Sequence, residues 1–382
     1  MNRFSVRNSN IEILRIIGML FIILQHALSV GLSFDSMPEI SGSLIFMQTF
    51  IGCTGWLGNM LFIMISGYFL YDSKFSLKKI LMLWFQLFLY SAGISLIVYI
   101  CKIQIYGVTG TGFCFTRLVD KRCMKLSELI FSFMPFCTAQ NWYATKYIVF
   151  LFFVPFLNVM VRQLDRKMHA RLILLMFVII NVFSIVPFFD VYLINDYSAF
   201  FMLFFAGSYM KKYKDFLSGV SGTSFIAAGI LMPVLYVTLR FLLLCSYGTI
   251  DSVSSGPASI VFSSHLYNLI LTWSAVSLFA GALRIPERHF PAVNLIASST
   301  FGIYLLHNHN YFRRNVWMDF FNLNEKFDGG SFIPSVILAV FAVFTVCSIV
   351  DILRKILLEP LYARLIEFFL KKIDSYSFFK KS

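Results

Sequence analysis

Apolar side chains fill long stretches of the chain, and polar ones collect in the short gaps between them. Runs of about 20 apolar residues, the length that crosses a bilayer as a helix, lie near 11–31, 44–70, 77–101, 141–161, 171–189, 222–245, 258–283, 291–309 and 334–357. A shorter run, "AFFMLFFAGSYM" near 199–211, brings the total to about ten. The pattern predicts an all-α, polytopic integral membrane protein. Its membrane-embedded domain would cover 1–357, and a basic amphipathic tail 358–382.

Composition agrees: of 382 residues 58% are hydrophobic and 13% charged, about half the charge of a soluble domain. The net charge of +13 does not point to nucleic acid, because the Lys and Arg sit in clusters between apolar runs rather than on one face. Those clusters read as topology signals. With the N-terminus cytoplasmic, the inside segments carry Arg3 and Arg7, then Lys74, Lys78 and Lys79, then Arg162 to Arg171, Lys211 to Lys214, Arg284 and Arg288, and the tail from Arg354. The loops at 32–43, 190–198 and 246–257 then carry acids and no Lys or Arg. About ten spans with both termini cytoplasmic fit this alternation. Loops 102–140 and 310–333 break it, holding Arg117, Lys121, Arg122, Arg313 and Arg314, and basic groups outside can meet something acidic there. The first run follows Arg3 and Arg7 without a small-residue cleavage site, so it reads as an uncleaved span. The seven cysteines form no CxxC pair, and no metal site is expected; Cys114, Cys123 and Cys137 share one loop.

The first span, "LRIIGMLFIILQH", sets Arg15 and His26 in apolar surroundings. His26 is eleven positions beyond Arg15, about three helical turns plus ~20° and a rise of roughly 16 Å, so both project from one face at different depths. Ionisable groups inside a span are costly and mark function by default. The structural reading is that Arg15 snorkels to the inner interface and His26 caps the outer end. Other polar groups fall at matching depths. Ser66, Gly67 and Tyr68 of "FIMISGYFL", followed by Lys74, Lys78 and Lys79, share Arg15's level; Asn141, Trp142, Tyr143, Lys146, His265, Asn268, His307, Asn308 and His309 share His26's. A passage with two chemically different ends is implied. "GVTGTG" at 107–112 lacks the Lys-Ser/Thr of a phosphate loop and reads as a turn.

Arg15 and His26 in R-X10-H spacing, "FIMISGYFL" at 62–70, "NWYATKYIVFLFFVPFLN" at 141–158, "YSAFFMLFFAGSYMKKY" at 197–213 and "FGIYLLHNHNYFRRNVW" at 301–317 together resemble the acyltransferase-3 family of bacterial integral membrane acyltransferases, particularly those that O-acetylate polysaccharides. The likeness runs from about residue 8 to 357. Many members carry Arg-x-x-Arg after the second span, where this chain reads "KFSLKKILMLWF"; Lys lacks the bidentate fork of Arg. The resemblance implies a multi-pass protein of the bacterial cytoplasmic membrane. Its donor would be a cytoplasmic acyl-CoA, acetyl-CoA first, and its acceptor a sugar hydroxyl of a surface polysaccharide or its lipid-linked precursor.

On that reading His26 is the general base or the acyl carrier. Arg15 positions the donor or stabilises charge, and Arg15, Ser66, Tyr68, Lys74, Lys78 and Lys79 hold the cofactor. Trp142, Tyr143, Lys146, His265, His307 and Asn308 would bind the acceptor. Expected partners are this glycan and the membrane lipids, with no nucleic acid; association into a homo-oligomer is left open. The alternative is a transporter or flippase of lipid-linked saccharides, although no internal repeat is visible. A polysaccharide polymerase generally needs a large outer loop, for which only 102–140 is long enough.

Overall fold

A computed structural model describes residues 7–32, 42–106, 121–138, 141–183, 196–247, 268–311, 313–327 and 330–375. Helices α1 (Ser9–Gly31), α2 (Gly42–Leu70) and α3 (Leu77–Ile100) lead into the strands β1 (Gln104–Tyr106) and β2 (Lys121–Cys123) and the short helix α4 (Leu126–Ser132). Then come α5 (Trp142–Gln163), α6 (Arg166–Phe177) running on as a π-helical turn Val178–Val182, α7 (Asp196–Lys212), α8 (Gly222–Tyr247) and α9 (Leu269–Arg284). The chain continues through α10 (Pro291–Ala297), α11 (Thr300–His307), α12 (Phe332–Leu357) and α13 (Glu359–Ser375).

Six of these elements contain a segment long and apolar enough to cross a membrane: Ser9–Gly31, Cys53–Leu70, Leu77–Ile100, Trp142–Gln163, Gly222–Leu242 and Phe332–Leu357. The chain is therefore an all-α, multi-pass membrane protein. The other predicted runs are helical where they are described, but shorter or interrupted. α9 has 16 residues, and the run over 291–309 is two helices separated at Ser298–Ser299, with Pro291 starting the first. Residues 258–267 and 184–189 of two predicted runs, and the turn at 107–112, lie outside the described residues.

Contacts group the chain into two compact units, one of Met1–Ser73 with Val154–Ser298 and one of Lys74–Phe153 with Ser299–Ser382. In the first, α1 runs along α2, α2 meets α7, and α8 pairs with α9. Between apolar helices in lipid, close packing is the main source of adhesion, and small residues permit it. A Cβ at Gly58 would stand 2.4 Å from the Gly18 carbonyl oxygen and 2.9 Å from Ile22. One at Gly207 would stand 2.4 Å from the Met64 oxygen, so backbone lies against backbone at both crossings.

The second unit is organised around a buried carboxylate. Asp351 of α12, fully buried, accepts from Gln86 Nε2 at 3.0 Å, Tyr90 OH at 2.8 Å and Arg354 Nε at 2.8 Å, with Lys355 Nζ 3.4 Å away. Gly302 of α11 has no side chain because the carboxylate fills that place: a Cβ there would lie 2.0 Å from Asp351 Oδ1. Arg354 also pairs with Glu359 at 3.0 Å and bonds Tyr362, which stacks on Phe85 with centroids 4.7 Å apart. These contacts hold α13 to α3 and α12. Its exposed Leu361, Leu365, Phe368 and Phe369 recur at helical spacing, the pattern of a helix lying on a membrane surface.

The described parts of the basic loop 102–140 are ordered. β1 and β2 pair antiparallel, Ile105 opposite Arg122, over a cluster of Val98, Ile105, Met124, Leu129 and Tyr311. Arg122 grips Glu128 through two bonds of 2.8 and 2.6 Å, and Asp319 accepts from Tyr106 at 2.6 Å while pairing with Lys121 at 2.7 Å. Several of the loop's basic residues thus have acidic partners within their own unit. Cys123 and Cys137 are free thiols; Cys114 lies outside the described residues.

Replacing Gly58 by Leu is expected to destabilise the protein by about 1–3 kcal/mol through overpacking, read as a lowered unfolding temperature in detergent. Gly93→Ala, where nothing lies within 4 Å, leaves it unchanged or slightly raised. Acid acts on the 104–132 segment. Burial acts to raise both carboxyls, and the bonds from Arg122 and Lys121 outweigh it, leaving Glu128 and Asp319 below their ordinary values of 4.5 and 3.8. Their stabilisation is present above those values and lost as pH falls through the lower folded ones. Amide exchange in 121–132 should accelerate below about pH 4; a pH-independent rate, after correction for intrinsic exchange, contradicts this.

Candidate functional site

The amino end of α1 is fastened before its first ionisable residues. Asn8 caps the helix, accepting from Asn10 N at 3.0 Å. Ser9 N donates to Arg288 O at 2.7 Å, and Ser9 Oγ donates to Asn294 Oδ1 at 2.8 Å while accepting from Phe290 N at 2.7 Å. Asn10 Nδ2 donates to the carbonyls of Ile285 and Pro286 at 3.2 and 2.9 Å. Irregular backbone at 285–290 has polar groups to satisfy, and Ser9 and Asn10 meet that need while fixing the helix in position.

One turn further on, Glu12 is 2% exposed, 3.5 Å from Arg15 Nη1 and 3.7 Å from Arg7 Nη1. One carboxylate thus faces two guanidinium groups. Arg15 lies over the Phe69 ring at 5.6 Å, Phe69 meets Tyr68 edge-on at 5.2 Å, and Lys211 Nζ sits 4.5 Å over the Tyr68 ring. Arg15 Nε has no hydrogen-bond partner. The first unit therefore gathers Arg7 and Arg15 at Glu12, and Lys211 over Tyr68 with Glu287 in electrostatic reach, an arrangement with more cations than carboxylates. Of these groups, Lys211 was legible only as a topology signal. Ser66 Oγ donates to Phe62 O at 2.8 Å.

Farther along α1, Gln25 and His26 are both buried. Gln25 fills the notch above Gly55, where a Cβ would meet its Oε1 at 1.6 Å. One turn along α2 from that glycine is Asn59, buried, with Oδ1 unpartnered. The same unit buries Asn181 in the π-helical turn, donating to Thr272 of α9 at 2.9 Å. Asn59, Asn181 and Thr272 were not singled out in the sequence, although each is a polar residue inside an apolar run.

The second unit carries an aromatic and imidazole cluster at the start of α5 and the end of α11. Tyr143 meets Trp142 edge-on at 5.7 Å, Tyr147 in parallel at 6.1 Å and Tyr304 edge-on at 5.8 Å; the His307 ring is 6.2 Å from Tyr304. His307 Nδ1 lies 2.6 Å from Ile303 O. A carbonyl only accepts, so Nδ1 carries the proton and Nε2 is the basic nitrogen. Asn308, buried, accepts from Arg313 Nη1 at 2.9 Å. His309 Nε2 lies 3.2 Å from Ser91 O. Lys146 leans over Trp142 at 5.2 Å, covering one of the predicted stacking faces.

The structure thus places Arg15, His26, Ser66 and Tyr68 in the first unit, and Lys74, Lys78, Lys79, Trp142, Tyr143, Lys146, His307 and Asn308 in the second. His265 lies outside the described residues. Lys78 bonds Glu367 of α13, an engagement invisible to the loop-charge pattern, while Lys74 and Lys79 are exposed. Among the described residues no three His, Cys, Asp or Glu gather as a metal site would require.

Asn10→Ala leaves two backbone carbonyls short of a donor. A loss of about 1–3 kcal/mol is expected, measured by thermal unfolding in detergent; unchanged stability would show that the fastening of α1 lies elsewhere.

The family model described as an acyltransferase domain matches residues 8–352, beginning at the Asn8 cap and ending just after Asp351. No curated protein and no solved structure matches the chain significantly. With nearly the whole described chain inside that match, the protein belongs to the acyltransferase-3 family of membrane acyltransferases.

Proposed function

We propose that this acyltransferase moves an acyl group, acetyl first, from a cytoplasmic acyl-CoA to a sugar hydroxyl of a surface polysaccharide or its lipid-linked precursor. It would do so in a bacterial cytoplasmic membrane, through about ten spans with both termini inside. The observation that carries the reading is α1 itself: within the matched family region, one fastened helix bears Arg15 and His26 on a single stripe, one in a cationic cluster and the other buried about 16 Å beyond it.

The cluster of Arg15, Tyr68, Phe69 and Lys211 suits the phosphate-bearing end of the donor. In the second unit Lys74 and Lys79 are exposed cations, and Lys78 is bonded to Glu367. His26 takes the proton of the acceptor hydroxyl as its oxygen attacks the thioester carbonyl. The tetrahedral intermediate collapses, the C–S bond breaks, and the thiolate recovers the proton from the imidazolium. Arg15 orients the donor through charge and its planar fork. Trp142, Tyr143, His307 and Asn308, with His265, form the acceptor side, where aromatic rings suit the faces of sugars.

His26→Ala is expected to lower ester content on the surface glycan by a factor of about 10² or more, the usual cost of a lost general base. Mass spectrometry of the glycan, with the variant confirmed in the membrane, makes the measurement. Wild-type ester content would refute the role of His26. Deletion of the gene also separates the classes: an intact polymer without esters supports acyl transfer, while loss of the polymer supports a flippase.

A further inference from the structure

We infer that Arg313 forms a binding site for an anionic oxygen group, a carboxylate or phosphate, on the glycan acceptor; this rests on the acyltransferase reading above. Arg313 lies in the turn after α11, held by its own N–H to His309 O at 2.9 Å and by Nη1 to Asn308 Oδ1 at 2.9 Å. Its Nε is buried and has no hydrogen-bond partner, and among the described residues no carboxylate lies within ion-pair distance. The residue as a whole remains partly exposed, so a ligand can reach it.

A guanidinium taken from water without a counter-ion is costly, and an uncompensated buried charge is among the more damaging features a fold can carry. Burial, with the neighbouring Arg314 charge adding, draws Arg313 down to about 10. Two other arginines of the same unit are neutralised, Arg354 by Asp351 and Glu359 and Arg122 by both oxygens of Glu128. Arg313 is built differently. Asn308, a neutral amide, occupies the place where a carboxylate would complete the pair, orienting the fork without discharging it. That leaves the bidentate geometry, to which carboxylates and phosphates are matched, for a group from outside.

The surroundings favour a sugar-borne anion. Asn308 directly follows His307, whose ring lies beside Tyr304 and so next to the Tyr143 and Trp142 rings. A uronate carboxylate or a glycan phosphate on Arg313 would hold the acceptor beside that cluster, of which Trp142 is the partly exposed ring. The site would select acidic glycans over neutral ones.

The test uses the full-length protein purified in neutral detergent, with thermal unfolding followed during titration by sodium glucuronate, inorganic phosphate, methyl glucoside and sodium chloride at matched ionic strength. Wild type should show a saturable rise with glucuronate or phosphate and none with methyl glucoside. Arg313→Gln should weaken the response at least tenfold, and Arg313→Lys should fall between. A glucuronate response assigns the anion to a uronic acid, and a response to phosphate alone assigns it to a phosphorylated glycan. Asn308→Asp supplies the missing carboxylate internally, so it should raise the basal unfolding temperature and abolish the anion response. That variant decides the matter if Arg313→Gln does not fold. An equal response to chloride, or an unchanged response in Arg313→Gln or Asn308→Asp, overturns the site. No acyl transfer enters the readout: anion binding that depends on Arg313 in a protein found to form no ester would leave this site standing and remove the catalytic reading alone.

Discussion

The position of α1 is the constraint on which the candidate site depends. Arg15 and His26 are both carried by one helix, whose height and rotation decide where they point. The contact of Gly58 with the Gly18 backbone and the bonds of Ser9 and Asn10 to the 285–294 segment set that position. Lipid provides no hydrogen bonds for loose backbone and little hydrophobic force between helices. The close glycine contacts and the polar fastening at the end of the span therefore do different tasks, one bringing α1 against α2 and the other fixing its register.

Charge is handled in two ways within the protein. Asp351 is buried among four donors from α3 and α12, each of which it neutralises or satisfies. Such a network holds helices together; its three hydrogen bonds converge on Oδ1, and Oδ2 faces the Lys355 ammonium. Around Arg15 and around Arg313 the arrangement differs: Glu12 faces two arginines, and the group facing Arg313 is the neutral amide of Asn308. Positive charge in excess of its local partners is what an anionic substrate needs, and the two places lie in different units of the fold.

Much of this was legible in the sequence where the physics is local. Helical period puts Arg15 and His26 on one stripe, and run length marks the spans, because neither depends on what lies across the helix. Other features required the fold. Lys78 looked available until Glu367, 289 residues away, was seen bonded to it. The interruption at Ser298–Ser299 was hidden because apolar residues continue through it and only Pro291 hints at a new start. Gly18 and Gly58 are ordinary glycines until their backbones touch. Lys211 and Arg313 were visible as loop charge, but their roles follow from Tyr68 beneath one and Asn308 beside the other.

The proposed activity carries acyl groups from a cytoplasmic thioester to a glycan on the far side of the membrane. The most direct measurement supplies acetyl-CoA, labelled in the acetyl group, to the cytoplasmic face of inverted membrane vesicles containing the protein and its glycan acceptor. Label is expected in the glycan as an alkali-labile ester, absent from vesicles lacking the protein. Glycan that stays unlabelled in vesicles with verified, folded protein would contradict it.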